Sequence, residues 1–322
     1  MPWVLGLKPE PMLLKIGTRG SKLALAQSEW VKEQIEASNP GLRVELVRIK
    51  TKGDKLLDSP LSKIGGKGLF VKEIEDALLN HFVDLAVHSM KDVPAELPDG
   101  LQLAVYPERE DPRDAFVSQY YDRFENLPQG AVVGTSSLRR SAQLRHARPD
   151  LQIVSLRGNV DTRLRKLASG EMQAIVLAKA GLARLGLLDR VTHTFSLGQM
   201  LPAIGQGALG LEIREDDAAT YGSIRFMDHE PTRVAAKAER AFLRELEGGC
   251  QVPIAAHAVA ADKELVLEGM VAELDGSRVI RDKLRGHRDA PEEAGIELAR
   301  RLLGSGAKEI LDRIYRKGAI DT

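Results

Sequence analysis

From Leu13 onward, short apolar runs alternate with amphipathic segments, the βαβα rhythm of a layered α/β protein. MLLKIGT reads as a strand. Ser21 caps the helix that follows, with Leu23, Ala26, Trp30 and Ile35 near one face. Asn39, Pro40 and Gly41 stop that helix, and LRVELVRIK is the next strand. The Gly- and Lys-rich KIGGKG leads into a helix that carries Phe70, Ile74, Ala77 and Leu78 on one side. VDLAVHS is then a buried strand, with MKDVP as the loop at its carboxyl end.

A second series of the same kind begins near Pro112. It runs strand AVVGT, helix SSLRRSAQLRHA, strand LQIVSL, helix NVDTRLRKLAS, strand MQAIVLA and short helix GLARLG. LPAIGQGALGLEI returns as a strand to the first unit, since neither half is complete without it. From about Pro231 the style changes to α+β. A long helix ends at Gly248, strands VPIAAHAVA, ELVLEGMVA and RVIRDKLRG follow, and a last helix spans Pro291 to Leu303. The predicted division is therefore 13–107 with 202–228, then 108–201, then 229–322.

Composition narrows the class. A chain of 322 residues with 43% hydrophobic and 29% charged residues is long enough for two or three domains, each with its own core. One cysteine cannot form an internal disulfide or a cysteine-rich zinc site, so a cytoplasmic setting is expected and no metal site is predicted. The start, MPWVLGLKPEPML, has a short apolar run broken by Lys8, Pro9 and Pro11. It does not resemble a signal peptide, and no run is long enough to predict a membrane span.

The 46 basic and 46 acidic residues cancel, but unevenly. Between residues 139 and 166, seven arginines and Lys166 face Asp150 and Asp161, a local charge of +6. In open α/β sheets ligands bind beyond the carboxyl ends of strands, where helix starts favour anions. Thr135, Ser136, Ser137, Arg139 and Arg140 follow one such end, and Arg157 and Asn159 follow another. Arg184, Arg19 and Lys91 lie near further ends. Several cations thus converge on one crevice suited to a ligand with several carboxylates. Arg145, Arg148 and Arg165 read as solvated helix faces. With 4% aromatic residues and few of them near the basic segment, base stacking is poorly served and nucleic acid is not the expected partner. Asp92 supplies a carboxylate that can accept hydrogen bonds or steady a positive intermediate.

KIGGKGLF lacks phosphate-loop spacing, and GTSSLRR is not a nucleophile elbow. His88 inside LAVHS reads as a core histidine. Cys250, in the glycine turn LEGGCQVPI, reads equally as a small buried hydrophobe or as a reactive thiol.

The ordered set GTRGSKLALAQ, GGKGLFVKEIE, AVHSMKDVP, EREDPRDAF, VGTSSLRRSAQL, SLRGNVDTRL, LPAIGQGALG and LEGGCQVPI closely resembles the hydroxymethylbilane synthase (porphobilinogen deaminase) family from about Leu13 to the C-terminus. The resemblance implies a transferase that joins four porphobilinogen units head to tail with loss of ammonia, then releases linear hydroxymethylbilane by hydrolysis. It implies two similar α/β domains of the periplasmic-binding-protein kind around a cleft, and a smaller α+β domain bearing a dipyrromethane cofactor on Cys250. It assigns catalysis to Asp92, Arg19 and Lys91. Cofactor binding falls to Asp92, Lys91, Ser89, Thr135, Ser137, Arg139, Arg140, Arg163 and Arg184. Substrate binding falls to Arg19, Ser136, Arg157, Asn159 and Arg184, and Lys67 and Phe70 lie on or beside an active-site loop. Asp92 is expected to hold pyrrole N–H groups and to stabilise the cationic azafulvene. A monomer with no membrane or nucleic-acid partner is expected. The competing reading is a non-enzymatic two-lobed anion-binding protein, which would share the crevice but not the use of Cys250.

Overall fold

A computed structural model describes residues 12–52, 71–248 and 252–320 of the chain. Its first sheet begins with β1 (Met12–Thr18), which buries Leu14 and Ile16. The Ser21 hydroxyl accepts from the Ala24 N–H (3.2 Å) and starts α1 (Lys22–Ser38). β2 (Leu42–Arg48) pairs parallel to β1. α2 (Lys72–Leu79) turns Ile74, Ala77 and Leu78 inward; its predicted neighbour Phe70 lies outside the described residues. β3 (Leu85–Ser89) joins β1 in parallel, and β4 (Leu101–Val105) closes the first run.

The chain then crosses over. β5 (Asp114–Ser118), β6 (Val132–Gly134), α3 (Leu138–Ala147), β7 (Gln152–Val154), α4 (Val160–Ala168), β8 (Ala174–Ala178), α5 (Lys179–Arg184) and β9 (His193–Thr194) build a second five-stranded sheet. β10 (Leu209–Arg214) returns to the first, antiparallel between β3 and β4.

The first sheet runs β2-β1-β3-β10-β4 and the second β7-β6-β8-β5-β9. In each, a central strand has parallel neighbours on both sides, and one antiparallel strand separates the third from the edge. That antiparallel strand is in both cases the first one laid down after a crossover. The two α/β domains are therefore topological copies, each completed by chain arriving from the other. β5 and the edge strands β4 and β9 carry no clear alternation in the sequence, so they emerge only with the sheets.

After α6 (Ala218–Ile224), α7 (Glu230–Glu245) opens the smaller domain with Pro231 in its first turn, where a missing N–H costs nothing. β11 (Ile254–Ala261), β12 (Glu264–Ala272) and β13 (Val279–His287) form an antiparallel meander. α8 (Pro291–Leu302) crosses α7 so closely that a Cβ on Gly295 would lie 2.8 Å from the Phe242 nitrogen. Past the predicted stop near Leu303, the chain passes through Gly306 (φ 104°) and continues as α9 (Lys308–Ile320). Phe242, fully buried between α8 and the meander, centres this core.

Candidate active site

Parallel pairing places the carboxyl ends of β1 and β3 side by side, so Arg19 follows one strand and Ser89 closes the other. Gln27 of α1 donates from Nε2 to Ser89 Oγ (2.9 Å), fixing that end. A single 3₁₀ turn, Met90–Asp92, follows and leaves the Asp92 side chain exposed and Lys91 half-buried. The turn is braced from below by the returning crossover. Met90 N–H donates to Ala208 O (3.0 Å). Gly205, at φ 71°, passes so close that a Cβ there would lie 2.7 Å from Met90 Cβ and 3.1 Å from Lys91 N.

From the second domain, Ser137 caps α3, the Thr135 hydroxyl accepts from Ser137 N–H (3.2 Å), and Ser136 Oγ donates to Leu156 O (2.8 Å). All three hydroxyls shape the turn into α3. Asn159 stands exposed before α4, its side-chain oxygen accepting from Thr162 (2.9 Å). Arg163 Nε donates to Gly158 O (2.8 Å), and Arg184 Nη2 donates to Gly207 O (2.7 Å) on the crossover.

The two domains meet across the cleft. Lys22 at the start of α1 pairs with Asp161 of α4 (2.8 Å), and Gly181 of α5 faces Leu23. Electrostatics link Lys91, Arg140, Arg157 and Arg163 with Asp92, whereas Arg184 is coupled to Glu110. Burial pushes the Lys91 ammonium below its ordinary pKa, Asp92 opposes that, and Arg140 and Arg163 add to it. Burial also lowers Arg163 to about 10, helped by Arg140 and Arg157 and opposed by Asp92. Burial lowers Arg184 to about 10 as well, against the pull of Glu110. Among the described residues, none of Lys91, Arg163 and Arg184 forms an ion pair with a carboxylate. They are partly desolvated cations with carboxylates nearby but none in salt-bridge contact, a condition that suits a receptor for carboxylates.

Arg139 and Arg140 are placed differently from the open crevice lining that the sequence predicts. Both are buried on Asp114, the first residue of β5. Arg139 Nη1 donates to Asp114 Oδ2 and to Leu201 O (both 2.7 Å), while Arg140 donates to Asp114 Oδ1 from Nε (2.9 Å) and Nη2 (2.7 Å). Gln206 Nε2 adds a bond to the same carboxylate (3.0 Å). Burial alone would raise Asp114, but the two guanidinium groups override it and hold the carboxyl at about 2. Asp114 and Gln206 carry little signal in the sequence. The one signal available was an acidic residue opening the apolar run AFVS. Asp114→Ala is expected to cost ~3–5 kcal/mol of stability by stranding two buried charges, measurable as a lowered urea midpoint; an unchanged midpoint would show that the pair is not held this way.

A second buried carboxylate joins the third domain to the crossover. Glu239 accepts from Arg109 (2.6 Å), Gly205 N–H (2.6 Å) and Ala258 N–H (2.8 Å). Burial pulls its pKa up, but Arg109 and His257 bring it down to about 2. Lys67 and Cys250 lie outside the described residues, as Phe70 does.

Paired α/β domains that bring buried cations and the exposed Asp92 to strand ends have the architecture of a two-lobed cleft protein. The family model for "Porphobilinogen deaminase, dipyromethane cofactor binding domain" matches residues 14–222, and that for its C-terminal domain matches 234–304. The porphobilinogen deaminase of Trichlorobacter lovleyi is 55% identical over 307 residues, covering 95% of this chain and 98% of the relative. That of Nitratidesulfovibrio vulgaris strain DP4 is 58% identical over 310 residues, 96% and 98% of the two chains. A solved nutrient binding protein from Burkholderia cenocepacia bound to methionine is 15% identical, covering 66% of this chain and 90% of its own, with a TM-score of 0.42. The chain belongs to the porphobilinogen deaminase family, transferases that make hydroxymethylbilane from porphobilinogen with a dipyrromethane cofactor. The non-enzymatic alternative is set aside. No described helix is long and apolar enough to cross a membrane.

Proposed function

We propose that Asp92 and the cations around it carry out the family reaction in this chain, with the cofactor tethered at Cys250. The observation that supports it is that Lys91 and Asp92, in the turn after β3, lie within electrostatic reach of Arg163 of the second domain. The donor set fits the dipyrromethane group, whose pyrroles each bear an acetate and a propionate. When bound, that group supplies the electron-rich pyrrole carbon from which the chain grows.

The protein's own residues do the rest. Lys91, Arg157, Arg163 and Arg184 bind side-chain carboxylates through charge-assisted hydrogen bonds, the strong kind of contact that such cations offer an anion. Arg19 and the Asn159 N-cap orient the incoming porphobilinogen. Arg139 enters this reading through Asp114 and the crossover. As the substrate C–N bond breaks and its electrons leave with ammonia, positive charge spreads over the substrate pyrrole. Asp92 offsets that charge and accepts hydrogen bonds from pyrrole N–H groups. After the new C–C bond forms, a pyrrole carbon sheds its proton, for which Asp92 is the nearby base. The limits 13–107 with 202–228, 108–201 and 229–322 describe the three domains in this reading, supported by the sheet memberships above. A monomeric chain in the cytoplasm is part of the same proposal; the need to keep the single thiol reduced for attachment supports the compartment.

Arg163→Leu tests the carboxylate-binding role. Losing one charged contact worth ~1.5–3 kcal/mol predicts KM for porphobilinogen higher by roughly 10- to 100-fold. Steady-state kinetics on protein shown by mass to carry cofactor provides the measurement. An unchanged KM and kcat would remove Arg163 from the site.

A further inference from the structure

Inside the first domain, three buried titratable side chains outside the proposed site lie within electrostatic reach of one another. His88 of β3 and Glu212 of β10 lie diagonally across the strand pair, since Gly210 stands opposite His88 and Glu212 opposite Ala86. His88 Nε2 and Glu212 Oε2 are 2.8 Å apart, with both residues buried. α2 brings Glu75, 6% exposed, to the same place. Glu75 Oε1 and Glu212 Oε1 are both buried without a hydrogen-bond partner.

Two ionised carboxylates, each with a buried oxygen that no protein donor meets, would repel each other across this site. A single proton removes the repulsion and turns an acceptor into a donor. The remaining charges facing the two carboxylates do not dispel the conflict. Lys72 of α2 favours ionisation of Glu75, and Asp76 beside it disfavours it. Arg214 of β10 is committed to Leu78 O (2.9 Å) and Val83 O (2.8 Å), and Arg240 of α7 senses Glu212 from the third domain. β1 and β4 contribute apolar packing through Gly17 against Ile74 and through Leu101.

We propose that Glu75 is a protonated positioning residue, whose neutral carboxyl beside the His88–Glu212 pair holds α2, β3 and β10 together and thereby fixes the Met90–Asp92 turn. With Glu212 ionised, His88 Nε2–H is the donor in that pair. Both strands end at the turn, β3 running into it and β10 leaving the Gly205–Ala208 segment that braces it. Burial, then Glu212, raises the Glu75 carboxyl from 4.5 to about 7, with His88 acting in the opposite direction. A carboxyl whose folded pKa is raised favours folding at low pH, and that contribution is lost as pH rises through about 7. The loss of the proton therefore loosens the turn on the alkaline side. The consequence for turnover rests on the role proposed for Asp92, but the shared proton does not.

Glu75→Gln, a neutral isostere of the protonated form, provides the test. Relative to the variant, wild type should lose thermal stability between about pH 4.5 and pH 7 and kcat between pH 6 and pH 8, with the variant's kcat at pH 6 within about twofold of wild type. Parallel pH profiles in the two proteins would overturn the proposal. Infrared spectra of wild type alone give a second reading, independent of turnover and of the variant's folding. A carboxylic-acid C=O band at pH 6 that fades by pH 8 is expected, and its absence at pH 6 overturns the proposal even if every catalytic assignment stands.

Discussion

Asp92→Ala is expected to fold like wild type and to lose kcat by ~10²- to 10⁴-fold, the range for removing a catalytic proton acceptor or a charge that stabilises a developing cation. The side chain is exposed at the end of a 3₁₀ turn, so truncating it opens no cavity and breaks no salt bridge among the described residues. Such surface changes leave stability within ~0.5 kcal/mol. Charge is the quantity removed. Asp92 opposes the burial-driven lowering of both Lys91 and Arg163, so its loss leaves a crevice of cations with nothing to balance the positive charge on the reacting pyrrole. Asp92→Asn keeps the shape but not the charge, and should fall nearly as far. Substrate carboxylates would still find Lys91, Arg157 and Arg163, so KM should change much less than kcat. Steady-state kinetics paired with thermal melts decide the matter, and near-wild-type turnover by a stable variant would take Asp92 out of the reaction.

The parts of the fold that the sequence announces are those where local pattern and final burial agree. MLLKIGT, VDLAVHS and MQAIVLA are buried strands, and the change of style near Pro231 marks the start of α7. β5 is different. DAFVS is short, opens with a buried acid and follows the charged run EREDPR, so nothing local distinguishes it from a loop. Its place between β8 and β9 depends on chain far away. α9 is hidden for a related reason, because LGSGA reads as a helix stop although the chain resumes its helix beyond Gly306.

The site divides in the same way. A run of basic residues after strand ends points to a group of cations, and Lys91, Arg140 and Arg163 lie within electrostatic reach of one another. Charge counting could not tell which guanidinium groups keep their charge available and which are committed to the single carboxylate of Asp114, 25 residues before Arg139. The roles of Lys67, Phe70 and Cys250 rest on the family resemblance alone.

Cys250→Ser carries the other large expected effect. A free thiol with a pKa of ~8.5 is a few per cent thiolate at neutral pH, and the thiolate is a strong, soft nucleophile toward an electron-deficient carbon. A serine hydroxyl stays neutral at that pH and is a far weaker nucleophile. Nearly equal size makes the substitution a test of chemistry more than of packing. The variant should fold, take up no covalent cofactor and lose turnover by ~10³-fold or more, in line with removal of other covalent nucleophiles.

The proposal that growth starts from a primer fixed to Cys250 is met most directly by the intact mass of denatured protein, compared for wild type and Cys250→Ser. Wild type should be heavier than its sequence by two linked pyrrole units, and the variant should match its sequence mass. Active wild type at its bare sequence mass would contradict the account.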